Sequence, residues 1–578
     1  MVTLRDRVMT ALRAAGAGRG LLGVRYVARL VIHPGFRRLE LKLLRDYLKW
    51  RRLYRAALQP PLYPPGSTKR ALIVIKGTLK GAQVEIGLIK GIELGGFVPV
   101  VLTNRSDLKK HFRLAGVRDF IRWDQFRQPV PQAEAEAIVA KAHGIDDLLN
   151  LEHAGARVGK FALSTAFRTL RVGRLDFSLP LTRQTLAAHL ASGMARADVS
   201  QRLIDTVKPD LALFMGNRYT GQGELMDVCV ARGIDVLTWF DAHRSSSLML
   251  KRYRLENRDQ HHGSISDETW AGLRRLAWTS ARQEELRREL HDNYAAGDWY
   301  SRGGTQVNKS IVGTEALRRR LGLDPLKKTG VIFPHIVWDA TLFWGTDLFN
   351  NYEDWLVETV RSACTNSRVN WIIKIHPAHV SKNAAEGYDD EPAEIVALRR
   401  RVGPLPPHVK VIPPDTDINT FSLFGLMDYC LTVRGTIGIE AACLGRRVLT
   451  AGTGRYDHHG FTTDSDSREE YLARVAAIET LPPLSPVERE LAERFAYGAL
   501  VLRPLPLTTL TIEHARNLEA TMTVRVNARS SAALRQAPDM VALGDWAADG
   551  RQEDFLWSAP LHSTFNLARA GTTTVFPL

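Results

Sequence analysis

Lys374, His376, Arg434 and Thr436 have the types and spacing to manage negative charge. The first two sit in Lys374-Ile375-His376-Pro377, where an apolar run from Val369 to Ile375 meets a proline. The others sit in Arg434-Gly435-Thr436, where the run Tyr429 to Val433 stops and a helical period (Ile437, Ile439, Ala442, Leu444) begins. A third apolar run leads into Pro334-His335-Ile336-Val337-Trp338-Asp339. Cations, imidazoles and a hydroxyl at one edge of a sheet suit a phosphate that gains charge as it leaves. A helix starting near Thr436 adds unpaired backbone N–H groups and positive partial charge. Gly435 and Gly438 lie in that turn. Glu440 lies one turn further on, where it could reach nucleotide sugar hydroxyls or pair with Arg446 or Arg447. His376 has a plainer alternative, a strand-end histidine bonded to backbone.

The elements that must hold these groups are strands alternating with helices. In the C-terminal half the spacing predicts strands at 330–333, 369–375, 409–412, 429–433 and 448–451, separated by helices. In the N-terminal half it predicts strands at 71–75, 97–102, 119–121, 211–215 and 236–240. The order strand, helix, strand implies right-handed parallel crossovers, so the fold class is α/β, with two Rossmann-like doubly wound sheets facing a cleft. Ligands in such sheets bind beyond the carboxyl ends of the strands. Two N-terminal strands end in polar groups that a core does not require, Gly216-Asn217-Arg218 and Asp241-Ala242-His243-Arg244. Asp241, His243 and Asp339 are the candidate bases, from opposite walls of the cleft.

The chain has 578 residues and a net charge of +16. Residues 1 to 57 hold 14 Lys/Arg and 3 Asp/Glu, or +11, which leaves +5 for the rest. Within them Phe36, Leu39, Leu43, Tyr47, Trp50 and Tyr54 recur at helical spacing amid arginines and lysines. That pattern reads either as a helix lying on an anionic membrane surface or as one packed on its own domain. No nucleic-acid motif accompanies the charge, so nucleic acid is not an expected partner. No apolar run is long enough for a membrane span, and the N-terminus lacks the apolar core of a secretory signal. Cys229, Cys364, Cys430 and Cys443 stand apart in apolar surroundings, as reduced thiols do. Asp415-Thr416-Asp417 is read as a loop in which Asp417 caps the next helix, and His458-His459 lacks a third ligand at a recognised spacing, so no metal is expected.

The order Lys374-Ile-His-Pro, Pro414-Asp-Thr-Asp, Asp428-Tyr-Cys-Leu-Thr-Val-Arg-Gly-Thr-Ile-Gly-Ile-Glu-Ala and Gly454-Arg-Tyr-Asp-His-His-Gly-Phe-Thr resembles the bacterial capsule polysaccharide biosynthesis family, which includes β-Kdo glycosyltransferases. The resemblance covers roughly Phe333 to Leu502. It implies a GT-B fold and transfer of a sugar from a nucleotide-sugar, CMP- or UDP-type, to a growing surface polysaccharide or lipid-linked glycan, with no bound cofactor. A serine-rich element is typical of members using CMP-Kdo, and this chain has Arg434-Gly435-Thr436 there. By the same resemblance His376 and Lys374 approach the donor phosphate, Thr436 and its neighbouring backbone amides complete that site, Glu440 holds the ribose, and Tyr456 with Phe461 lines the sugar or base pocket; His335, Pro377, Arg434, Gly435 and Gly438, at the same strand ends, are further donor-binding candidates. The expected organisation is a basic helical extension and Pro-rich linker (1–66), an acceptor domain (67–312), a nucleotide-sugar domain (313–482), a cross-back helical segment (483–519) and an irregular tail (520–578). The expected location is cytoplasmic, at the inner face of the plasma membrane. The competing readings are a nucleotide-sugar epimerase of related fold and a non-catalytic capsule assembly or export subunit.

Overall fold

The computed structural model describes residues 32–557 apart from 76, 127, 217, 301–304, 307 and 515–521. Its first element is helix α1 (Pro34–Leu58), with a proline in the first turn where the missing N–H costs nothing. β1 (Arg70–Val74) leads through a Thr78 cap into α2 (Leu79–Leu94), then β2 (Val98–Leu102) and β3 (Asp119–Ile121). Helix α3 (Val158–Leu170) and a long helix Pro180–Val207 precede β4 (Leu211–Phe214), β5 (Asp235–Asp241) and β6 (Ser247–Tyr253). Helix α4 (Ser280–Ala295) closes this half.

The second half runs β7 (Thr329–Ile332), β8 (Asn370–Lys374), α5 (Ala378–Glu386), β9 (Val409–Ile412), β10 (Tyr429–Thr432), α6 (Thr436–Cys443) and β11 (Arg447–Thr450). After α7 (Pro486–Ala496) come β12 (Pro504–Pro506), β13 (Leu510–His514), β14 (Met522–Val526) and α8 (Pro538–Asp549). The sheet of this half has the order β11-β10-β7-β8-β9, all parallel. The other has β3-β2-β1-β4-β5-β6-β12, parallel as far as β5 and antiparallel beyond. Each therefore reverses direction beside its first strand, as a doubly wound sheet does, and the two together make a GT-B-like molecule. Their central strands, such as β4, β7 and β10, are buried on both faces, which is why they read as continuous apolar runs.

Four strands, β6, β12, β13 and β14, escape the sequence pattern. β6 carries Lys251 and Arg252, both 0% exposed, whose charges interrupt the apolar run. Lys251 meets Glu553 and Asp554, and Arg252 meets Asp235. β12 carries two prolines and still pairs with β6, because a sheet's edge tolerates a missing N–H.

Of the tail 520–578, expected to be irregular, the described residues 522–557 are instead folded. β14 pairs antiparallel with β13, α8 packs on α2, and Trp546, Phe555 and Trp557 are buried in the core of the N-terminal half. Its small residues allow close packing: a Cβ on Gly544 would lie 2.8 Å from the Gly91 carbonyl oxygen. Residues 558–578 lie outside the described residues. α1 also joins the body. Trp50, Tyr54, Ala57 and Leu58 are buried, and Trp50 and Tyr47 set their rings edge-on to His111. The aromatic face offered above to a membrane is thus used, through Trp50 and Tyr54, to fix the helix to its own domain. Residues 1–31 lie outside the described residues. Among the described residues no helix is long and apolar enough to cross a membrane.

Candidate active site

The reversal of the second sheet falls between β7 and β10, and the segments leaving β7, β8 and β10 wall a cavity of about 260 Å³. His335, Asp339, Lys374, His376, Pro377, Arg434, Gly435, Thr436 and Glu440 all line it. Its floor is the start of α6. Thr432 Oγ1 accepts the Gly435 N–H at 3.1 Å and turns the chain out of the strand. The first amides of a helix have no partner within it, and here they belong to Thr436 and Ile437, both in the lining. Behind the turn Tyr456 donates its hydroxyl to the Gly435 carbonyl at 2.7 Å. A Cβ on Gly438 would lie 2.2 Å from that hydroxyl oxygen, so glycine is required there.

The imidazoles are donors without charge. The Ala378 N–H donates to His376 Nδ1 at 3.2 Å, which puts the ring proton on Nε2. Burial, with His379, Lys382 and Lys374 close by, pushes His376 down to about 3. His261 is fixed in the same way by the Gly263 N–H, at 2.9 Å from Nδ1. His335 has the other tautomer: Nε2 accepts the Arg434 N–H at 3.3 Å, and the ring stacks on Tyr352 with centroids 4.6 Å apart. Burial, followed by the charge of Lys309, lowers Lys374 to about 7, and its ammonium donates to the carbonyls of Ile375 and Pro413 at 3.0 and 3.3 Å.

Arg434 is buried and ion-paired with Asp347, while its Nε and Nη1 have no hydrogen-bond partner among the described residues. Arg455 donates to the Arg434 carbonyl at 3.1 Å and also lines the cavity. Glu440 does not pair with Arg446 or Arg447: it accepts the hydroxyl of Tyr294, and burial raises it to about 7. Tyr294 stacks on Trp299 at 4.8 Å, giving the cavity an aromatic side wall.

Several candidates lie elsewhere. Tyr456 and Phe461 are buried at 1% and 0% exposure behind α6, so they support the turn and do not line the pocket. Asp241 ends β5 outside the lining, and His243 is buried against Glu289, with Nε2 2.6 Å from Oε1. Asp339 lines the cavity but is already engaged. It accepts from Tyr219 at 2.6 Å and Arg168 at 3.2 Å across the cleft, and it meets Lys382 of α5. Burial alone would raise its carboxyl, yet Lys382 and its other partners hold it below the usual range. Asp417 is not a cap; it pairs with Arg320, and the next helix begins at Phe421. Among the described residues no cluster of three His, Cys, Asp or Glu could hold a metal ion.

Arg168, Arg171 and Tyr219 from the first half, with Asp339, Lys382, Asn383 and Glu386 from the second, form a clasp beside the cavity. Beyond the clasp a wider groove of about 1110 Å³ opens between the halves. Trp338 and His379 of this groove are chain neighbours of the cavity's Asp339 and Pro377, so the two spaces meet at these segments. Residues missed from sequence are His261, Tyr294, Trp299, Trp344 and, as an individual, Arg455. The pair His261-His262 ahead of a glycine was a usable signal. The aromatics lay in segments without a motif.

No protein-family model matches this chain, and no curated protein matches it. Among solved structures, it is similar to a KpsC β-Kdo 2,4-transferase of Thermosulfurimonas dismutans, at 17% identity and a TM-score of 0.32, over 51% of this chain and 80% of that one. It is also similar to a UDP-GlcNAc 2-epimerase from Neisseria meningitidis bound to UDP-GlcNAc (11%, TM-score 0.26, 74% and 96%). A glycosyltransferase from Rickettsia africae is a third (9%, TM-score 0.25, 78% and 96%). At these identities and scores no shared activity follows.

Proposed function

We propose that this protein is a glycosyltransferase that moves a sugar from a nucleotide-sugar to a growing surface polysaccharide or lipid-linked glycan. The observation carrying the reading is the convergence of His376, His261, Lys374, Arg434, Arg455 and the start of α6 on one small cavity at the switch point of the second sheet. Departure of the sugar leaves negative charge on phosphate. Fixed N–H donors in a water-poor site stabilise that charge without reorganising. His376 Nε2–H and the Thr436 and Ile437 amides take the leaving oxygens, and Lys374 gains its proton when the anion arrives. Glu440 receives the ribose hydroxyls, exchanging its bond from Tyr294 for theirs. The acceptor lies in the wider groove and reaches the donor past Trp338 and Asp339. Asp339, held by three partners, keeps the two halves closed and is not the base.

The nucleotide is of CMP or UDP type, and the work takes place at the inner face of the plasma membrane. The test is a panel of nucleotide-sugars incubated with and without glycan acceptor, reading released nucleotide and sugar product. Nucleotide released only with acceptor supports transfer. Product without acceptor assigns the cavity to an epimerase, and binding without turnover to an assembly or export subunit.

A further inference from the structure

α1 has two faces, and among the described residues only one packs against the fold. Trp50, Tyr54, Ala57 and Leu58 are buried against the N-terminal half, where the helices Ser106–Leu114 and Ser531–Gln536 receive them. On the opposite side Leu41, Leu44 and Leu48 are 55%, 49% and 49% exposed. At 3.6 residues per turn these three leucines fall within about 60° of arc, roughly opposite Trp50. Exposed Arg37 and Arg55 share that arc, with Arg52, Arg45, Arg38, Lys49 and Lys42 in turn on one flank and Arg51 on the other. The acids of the helix are Glu40 and Asp46 alone.

An exposed row of leucines ringed by guanidinium and ammonium groups has one complementary surface, an apolar layer beneath a sheet of negative charge. Leucine enters the acyl boundary while the long basic side chains stay with the headgroups. We propose that Leu41, Leu44 and Leu48 of α1, with their flanking arginines and lysines, are the contact by which this protein lies on an anionic bilayer. The aromatic side of the same helix is the dock that fixes the rest of the molecule to it. The ring of His111 between Tyr47 and Trp50, and the Tyr47 hydroxyl donated to the Lys110 carbonyl, hold the helix so that its leucines face outward. This deepens the membrane placement given above and stands apart from the transfer chemistry, because it is read without any donor.

The experiment is co-sedimentation of the full chain with vesicles of phosphatidylcholine alone and with roughly one-third phosphatidylglycerol. Binding is expected only to the anionic vesicles, falling about tenfold or more when salt is raised to about 0.5 M. Leu41→Ser/Leu44→Ser/Leu48→Ser should weaken binding about tenfold or more. Because these side chains are already in water, the melting temperature should not move, so a folding failure is recognised directly. Arg45→Glu/Arg52→Glu, which leaves the leucines in place, should lose the preference for anionic lipid. Unaltered binding of the leucine variant overturns the proposal, as does equal binding to neutral vesicles. A wild-type chain that ignores vesicles but forms a dimer abolished by the leucine variant assigns the face to a second copy, and overturns it too.

Discussion

His376 and Lys374 are neighbours on one strand end, yet the cavity sets them different tasks. The imidazole is held neutral, with Nε2–H as its only donor, so it answers charge that grows during the reaction more than charge already present in the donor. His376→Ala should therefore lower turnover about a hundredfold, with little change in donor affinity. Steady-state kinetics with a working donor decide this, and full turnover in the variant would sink the assignment. Lys374, lowered to about 7 by burial, is largely neutral at pH 8 in the free protein. An anion beside it raises its affinity for a proton, so donor binding at pH 8 should take up about one proton. Calorimetry in buffers of different ionisation enthalpy measures that uptake, and Lys374→Met should abolish it. A chelator should leave turnover unchanged, since the leaving charge is assigned to protein donors.

At the scale of elements, the turn from β10 into α6 depends on a contact that neither strand nor helix propensity reveals. Gly438→Ala drives a methyl into the Tyr456 hydroxyl and should cost about 1–3 kcal/mol in denaturant unfolding. Adding Tyr456→Phe removes the oxygen and should recover part of the loss. Failure to recover any would place the strain elsewhere. Ten strands were legible in the sequence, because parallel strands buried on both faces are written as unbroken apolar runs. β6, β12, β13 and β14 were not: buried Lys251 and Arg252 read as surface charge, Pro504 and Pro506 as a break, and the β13–β14 pair fell in stretches expected to be helical or irregular. The site divided along the same line. Groups at strand ends, such as His376 and Arg434, could be read from where an apolar run stops. Tyr294, Trp299 and His261 reach the cavity from helices and loops whose path only the packing of the two halves defines. The resemblance assigned Tyr456 and Phe461 to the pocket, yet their rings turn into the core.

At the scale of the molecule, the clasp and the returning tail decide how the halves meet. Arg168 and Arg171 grip α5, which begins directly after His376-Pro377, so closure and the proposed phosphate site share one helix. Arg168→Ala/Arg171→Ala should lower kcat/KM about tenfold and enlarge the radius of gyration in solution scattering. An unchanged radius with unchanged kinetics would assign the clasp to surface decoration. Asp554 is buried among Lys251, Arg503 and the Ser266 amide. Burial would raise its carboxyl, but Arg503 and Lys251 hold it well below the usual carboxylate range. A depressed folded pKa contributes stability above the unfolded value, about pH 4, which is lost as pH falls further. Asp554→Asn should remove about 3–5 kcal/mol at neutral pH by taking the buried carboxylate from Arg503 and leaving Lys251 with Glu553 alone, and should flatten the acid limb of the unfolding profile.

Because β12 completes a sheet whose other strands were made before Tyr253, the ribosome delivers the N-terminal half unfinished. The strands from β7 to β11 emerge as a closed set and can fold while synthesis continues, whereas β6 waits with an open edge and Lys251 without its carboxylates until Pro504 to Asp554 arrive. A nascent chain stalled near residue 500 should then be protease-resistant from about Thr329 onward and cleavable before it, the reverse of the order of synthesis. Separate expression of the two halves should succeed only if the segment beginning at Pro504 is grafted onto the first.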